Sequence, residues 1–306
     1  MKRKKKWSFE IISFFCVELL ISGACTTGLN PLSLKKNNTQ IQETTQSQYW
    51  ALLFAVGEYE NAPGQDRPSM LQACDDLYNV LIDSPQFWQA SNIRTVKSSQ
   101  AILQNLIKEL LWLRKNARNE DYVLVYITTH GNHLMDANGQ PLDLPPKDET
   151  DGSDEILMMY NGFNKWYGII WDDMLNFLLS IIKCKGLCLI VDSCYSGGFN
   201  DVFSKCVTTI QSYNAESFTI GFADELAFPG RVVLMSCQEN EVSYGSYFSN
   251  LLIGGFQGSA DFEGNNDGVN SAEESFEWAE YWLDLVGTQH PTILDNFLGE
   301  FPLTYS

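Results

Sequence analysis

Basic residues are scarce in this chain: 20 Lys and Arg stand against 38 Asp and Glu, a formal charge of −18 over 306 residues. A surface of that sign repels phosphate backbones, which excludes nucleic acid as a partner and favours a cationic substrate or a divalent cation. The plainer reading of the acidity is a solubilising surface. Histidine is scarcer still, three in all, so chemistry that needs an imidazole must use His130, His133 or His290. The 8 cysteines are too sparse for a disulfide-stapled scaffold. Cys184 and Cys188 are four apart but have no histidine or second cysteine pair to complete a zinc set. Internal repeats are absent, and no apolar run has the length needed to cross a bilayer.

Apolar sequence is ample, 44% of residues with 8 Trp among them, enough for a substantial core. The first 25 residues read as an export signal: Lys2, Arg3, Lys4, Lys5 and Lys6, an apolar stretch at 14–21, then Ser22-Gly23-Ala24-Cys25. Small residues directly before a cysteine follow the bacterial lipobox pattern, with Cys25 as the lipidated residue. Ser22 stands where Leu is usual and Glu18 interrupts the apolar stretch, so a plain signal peptide is the alternative. The expected protein is exported: a bacterial cell-envelope lipoprotein held to the membrane by an N-terminal lipid anchor, or a secreted protein without one. Residues 26–48 are rich in Thr, Gln and Asn and read as a flexible polar linker.

From residue 49 onward, apolar runs alternate with helical patterns. Strands are expected at 51–56, 93–96, 122–128, 187–191 and 232–236, and helices at 69–82, 101–116, 171–183, 247–257 and 272–286. That alternation argues for one α/β domain over 49–306, a parallel doubly wound sheet flanked by helices on both faces. Residues 134–154 read as an acidic loop and 196–229 as an irregular segment.

Two strands end at reactive side chains. One run closes at His130-Gly131, the other at Asp192-Ser193-Cys194. The carboxyl edge of such a sheet is where α/β folds place their chemistry. A thiol needs a base to be a nucleophile at neutral pH, and an imidazole on a neighbouring strand supplies one. In this reading Cys194 attacks, His130 is the acid/base, and the N–H groups of Gly131 and Cys194 form the oxyanion hole. The alternative is a strand-capping histidine and a buried thiol. His133 is expected to be exposed in the loop, and His290, before Pro291, to lie too far from Cys194.

His130-Gly131 and Asp192-Ser193-Cys194-Tyr195-Ser196-Gly197 resemble the histidine and cysteine motifs of the caspase-like cysteine peptidases, of peptidase C14 type. The closest resemblance is to the bacterial caspase-domain and metacaspase-like branch. It extends to Val56-Gly57-Glu58-Tyr59, to Ala73-Cys74-Asp75-Asp76-Leu77, to the acidic stretch 148–155 and to Ser236…Gly245. The Gln-Ala-Cys-x-Gly motif of true caspases is absent. The resemblance implies a three-layer caspase-hemoglobinase-like fold and a cysteine endopeptidase acting on peptide or protein substrates through a thioester, with no cofactor required for the chemistry. It implies that Asp192 lines the pocket for the side chain before the cut, with Asp76 as a second acidic pocket residue, and hence cleavage after Arg or Lys. Ala73 stands where many metacaspases carry Cys. Legumain-like specificity for Asn is an alternative for the substrate, and a strand-end carboxylate bonded to backbone N–H groups is an alternative for Asp192. Segment 196–229 corresponds to a linker that some members cut during activation; Lys205, its only basic residue, would be the self-cleavage site. A catalytically silent caspase-fold lipoprotein, acting as a scaffold or calcium-binding module, is the competing function.

Calcium is the one candidate ion. Within the loop at 261–274, Glu263, Asn265, Asp267, Ser271 and Glu274 occupy positions 1, 3, 5, 9 and 12 of an EF-hand-like pattern, with Gly268 at position 6. Glu at position 1 and Asn270 at position 8 depart from it. The alternative is a turn capping the next helix, with Ser271 as N-cap and Glu274 completing a capping box. The acidic stretch 148–155 is a second candidate, because the metacaspase-like enzymes it resembles are often calcium-activated.

Overall fold

The computed structural model describes residues 46–136, 138–144, 154–163, 165–195, 229–236, 246–287 and 289–306, with Cys194 and Tyr195 described by their backbone alone. Segment 1–25 with Cys25, nearly all of the linkers 26–48 and 196–229, and Lys205 lie outside the described residues.

Strands β1 (Tyr49–Ala55), β2 (Ile93–Lys97), β3 (Tyr122–His133), β6 (Gly186–Tyr195) and β7 (Arg231–Met235) form a parallel sheet. The order is β2-β1-β3-β6-β7, closed by β9 (Thr292–Asp295), which runs antiparallel to β7. These strands read as near-continuous apolar runs because both sheet faces are covered. Along β1 the side chains alternate between two buried clusters. Leu52 and Phe54 join Leu106, Leu110 and Leu113 of α2 (Leu103–Asn116) and Leu175 and Leu179 of α3 (Asp172–Ser180). Ala51, Leu53 and Ala55 join Leu77 and Leu81 of α1 (Pro68–Ile82), Phe248 and Leu252 of α4 (Tyr247–Gly254), and Phe276 and Leu283 of α6 (Ala272–Val286). The result is a three-layer α/β fold, mostly parallel and wound in both directions.

From β1 the chain adds β2 on one side and then crosses to β3 on the other. This reversal of strand order is a topological switch point, and the crevice at the carboxyl ends of β1 and β3 is where such folds accept ligands.

Short strands escaped the sequence reading. β4 (Glu155–Met158) and β5 (Ile169–Trp171) pair antiparallel, and β4 also pairs with the far end of β3. β8 (Val269–Ser271) and β10 (Pro302–Tyr305) form a separate two-stranded ribbon. Three or four residues carry too few alternations to register as periodicity. The helix expected at 171–183 spans only Asp172–Ser180, and the one expected at 247–257 gives way at Gly254 to a wider π turn, Gly255–Ser259. A short helix, α5 (Ala260–Glu263), follows.

Candidate active site

The parallel register of β3 and β6 sets Thr128 beside Asp192, Thr129 beside Ser193, His130 beside Cys194 and Gly131 beside Tyr195. Adjacent strands run about 4.8 Å apart, so the backbones of His130 and Cys194 are immediate neighbours although 64 positions separate them in sequence. Neither strand stops where its reactive residue stands. β3 was expected to end at His130 but continues to His133, because β4 pairs with it from Gly131 onward. His133 is therefore not in an exposed loop: it is half-buried in β3 opposite Glu155, its Nδ1 3.7 Å from that carboxylate.

His130 is fully buried. Its Nε2 lies 2.8 Å from the Gln65 carbonyl, on a short 3-10 turn (Pro63–Gln65) after β1. A carbonyl only accepts, so Nε2 carries the proton and Nδ1 the lone pair. Burial holds the imidazole well below its ordinary pKa, at about 4, and the Arg67 guanidinium pushes it the same way, while the Gln65 bond opposes them. The ring is therefore neutral at pH 7, the state a general base requires. Gln65 went unnoticed in the sequence because a main-chain carbonyl leaves no residue-type signature.

Gly131 packs closely against β6. A Cβ there would collide with the Ser193 hydroxyl on β6. Gly131 sits within β3, paired with Tyr195 on one strand and Leu157 on another.

Asp192 is completely buried. The Ser249 hydroxyl on α4 donates to its Oδ2, and Ser249 is in turn 2.8 Å from the Tyr126 hydroxyl. Burial raises the carboxyl to about 6, against the opposing bonds from Ser249 and Ser236. Asp76 lies half-buried on α1 and accepts from Gln72 one turn earlier, at 2.8 Å. Among the described residues Asp76 shares no hydrogen bond with Asp192.

The thiols that are described are poor nucleophiles. Burial raises Cys74 to about 12 and Cys184 to about 11, and it drives the wholly buried Cys188 well above its ordinary value. All three are free cysteines.

The two acid-rich stretches differ. In the EF-hand-like loop, Glu274 closes a capping box with Ser271, its Oε1 also accepting from Asn265 N at 3.0 Å. Asp267 accepts from Val269 N and Asn265 from Asp267 N, both at 2.9 Å, and Glu263 is exposed. These oxygens cap a turn and a helix and do not converge as an ion cage. Beside β4, by contrast, Asp172 opens α3 with both carboxylate oxygens buried and, among the described residues, without a hydrogen-bond partner. Asp154, also buried, is raised to about 7 by burial and then by Asp172, with Asp143 and Asp173 adding to the repulsion. Among the described residues no three acidic, His or Cys side chains already form a metal site; residues 145–153 of this stretch lie outside them.

Residues 68–203 match the family described as metacaspase, peptidase C14 domain. The chain is similar to a Metacaspase-1 of Ajellomyces capsulatus, 30% identical over 105 residues, covering 34% of this chain and 27% of that one. It is also similar to a Metacaspase-2 of Arabidopsis thaliana, 32% identical over 104 residues, covering 33% and 22%. The match thus spans about a quarter of the length of these relatives. A crystal structure of a Geobacter sulfurreducens protein superimposes with a TM-score of 0.56 at 17% identity, over 84% of this chain and 99% of that one, a likeness of fold.

Proposed function

We propose that this chain is a cysteine endopeptidase with Cys194 as nucleophile and His130 as acid/base, a reading that the similarity of residues 68–203 to the metacaspase, peptidase C14 domain supports. The observation that supports this most is the β3–β6 register, which makes these two residues cross-strand neighbours at the carboxyl edge of the sheet. The Cys194 thiol gives its proton to His130 Nδ1 as sulfur attacks the peptide carbonyl carbon. The oxyanion is stabilised by the N–H groups of Gly131 and Cys194. Collapse breaks the C–N bond, and the departing amine takes the proton from His130. Water, deprotonated by His130, then cleaves the thioester and regenerates the thiol.

Asp192 supports cleavage after Arg or Lys, because a buried carboxylate two residues before the nucleophile is matched by a guanidinium or ammonium. Asp76 is the second acidic residue proposed for that pocket, and Lys205 the site of self-processing. Calcium would be held by Asp172 and Asp154, hard oxygen donors whose repulsion a divalent cation relieves. Bound there, it would neutralise charge beside β4 and steady the strand that continues past His130. Cys25 would tether the enzyme to an envelope membrane.

The purified chain, assayed on Arg-, Lys-, Asn- and Asp-terminated fluorogenic peptides in calcium and in chelator, tests these parts beside Cys194→Ala. Turnover after Arg or Lys that Cys194→Ala abolishes is the expected result. Absence of any Cys194-dependent turnover returns the function to a silent scaffold, and turnover after Asn or Asp overturns the assignment of the pocket.

A further inference from the structure

The backbone around His130 has a gap in its ladder. β1 accompanies β3 only as far as Thr128, opposite Ala55, with one further bond from Val56 N to Thr128 O at 3.0 Å. β4 begins to pair only at Gly131. A parallel strand turns its peptide groups to alternate sides, so the N–H of His130 faces the side β1 has just left. There the chain turns back through Gly57, at φ 60°, and Tyr59 reaches into the gap. Its hydroxyl accepts from His130 N at 2.9 Å and lies 3.0 Å from the Thr129 hydroxyl, which bonds the Met158 carbonyl on β4. The same phenol ring lies nearly flat against the imidazole, with centroids 5.0 Å apart and planes 25° from parallel. Phe163 packs edge-on against both rings, at 4.9 Å from Tyr59 and 6.0 Å from His130.

We infer that Tyr59 is the positioning residue for His130 in the peptidase reaction, holding its main chain through the hydroxyl and its imidazole plane through the ring. The inference rests on the proposed acid/base role of His130. Neither contact substitutes for the other. The hydroxyl fixes where the Cα of His130 sits between the two partial ladders. The ring and the Gln65 carbonyl together fix the rotation of the imidazole, and so the direction in which Nδ1 presents its lone pair. Among the described side chains, Arg67 and Tyr59 are ionisable groups that face the imidazole, beside the Cys194 thiol of the proposed reaction, and the tyrosine also excludes water from the ring.

The test uses the full chain with Tyr59→Leu and Tyr59→Phe, read by kcat and KM and, in a Cys194→Ala background, by NMR titration of the His130 ring. Tyr59→Leu should lower kcat about 10²-fold with KM within about twofold, as expected for misalignment of a catalytic group. Its His130 should titrate closer to the ordinary value near 6.5, as water reaches the ring. Tyr59→Phe keeps the stack and loses the hydroxyl, so it should recover part of the lost kcat and keep His130 titrating low. Wild-type kcat in both variants, or a loss of kcat in step with raised KM and an unmoved His130 titration, overturns the inference. If Tyr59→Leu does not fold, the fall in kcat at unchanged KM in Tyr59→Phe decides by the same criterion. Should the wild type show no Cys194-dependent turnover, the peptidase reading fails separately, and the His130 titration alone decides whether Tyr59 fixes the ring.

Discussion

The acidic stretch beside β4 and the acidic loop before α6 use the same residue types, yet the fold treats them in opposite ways. Before α6, Glu274, Asp267 and Asn265 accept backbone N–H groups of their own turn, and the loop is complete as it stands. Beside β4, Asp172 is buried with neither carboxylate oxygen bonded among the described residues, and Asp154 is pushed up to about 7 by burial and by that neighbour. A self-satisfied carboxylate gains little from a cation, whereas a buried and repelled one gains much. Agreement with a ligand-spacing pattern is thus a weaker guide than whether the oxygens already have partners.

The largest effect that could break this comparison is a calcium response in the wrong place. Calcium at a thousandfold excess over its Kd should stabilise the wild type by about 4 kcal/mol, measured as a rise in thermal midpoint. Asp172→Asn should abolish that rise and Glu263→Gln should leave it intact. The reverse pattern would move the ion to the loop before α6.

Asp192 sharpens the contrast from a third place, being as buried as Asp172 but bonded by Ser249. Its folded pKa of about 6 lies above the unfolded carboxylate value near 3.9. The folded state therefore binds the extra proton between those values. Its contribution to stability is greatest below about pH 4 and is lost as pH rises through about 6. Ionising it costs about 3 kcal/mol, so Asp192→Asn should flatten denaturant-melt stability across that window. Turnover after Arg or Lys should rise around pH 6, where the folded carboxylate ionises. A stability slope unchanged in Asp192→Asn would contradict the buried, costly state assigned to this residue.

A smaller effect belongs to the capping box. Ser271→Ala should cost about 1 kcal/mol in urea unfolding, because the Glu274 N–H loses its acceptor. The cost should be the same with calcium or chelator. A cost that appears only in calcium would restore the loop as an ion site. The smallest change expected is in Glu263→Gln, an exposed position, within about 0.5 kcal/mol of wild type.

Much of the fold was legible because it rests on long, strongly periodic segments. α6 spans 272–286 as expected, opened by the capping box at Ser271 and closed by a left-handed Gly287. β1, β3, β6 and β7 were read from their apolar runs. What failed was non-local. The acidic loop at 134–154 gave no hint that β4 follows it and pairs back onto β3. His133 was therefore misread as exposed, and β3 was ended three residues early. Gln65 and Ser249 had no signal at all, one acting through its carbonyl and the other becoming a partner of Asp192 only because α4 packs over β6.

The sequence by itself determined the composition of the chemistry. One thiol and one imidazole stand at the ends of apolar runs, each beside small residues, in an acidic chain with too few cysteines for any scaffold role. Side-chain type and periodicity are local properties, so they survive in a linear string. Only the tertiary structure decided the register that sets His130 beside Cys194, the gap in the ladder that Tyr59 fills, and which acidic side chains are buried against one another. Those are outcomes of pairing and burial between distant segments, and their energies depend on neighbours that no local pattern contains.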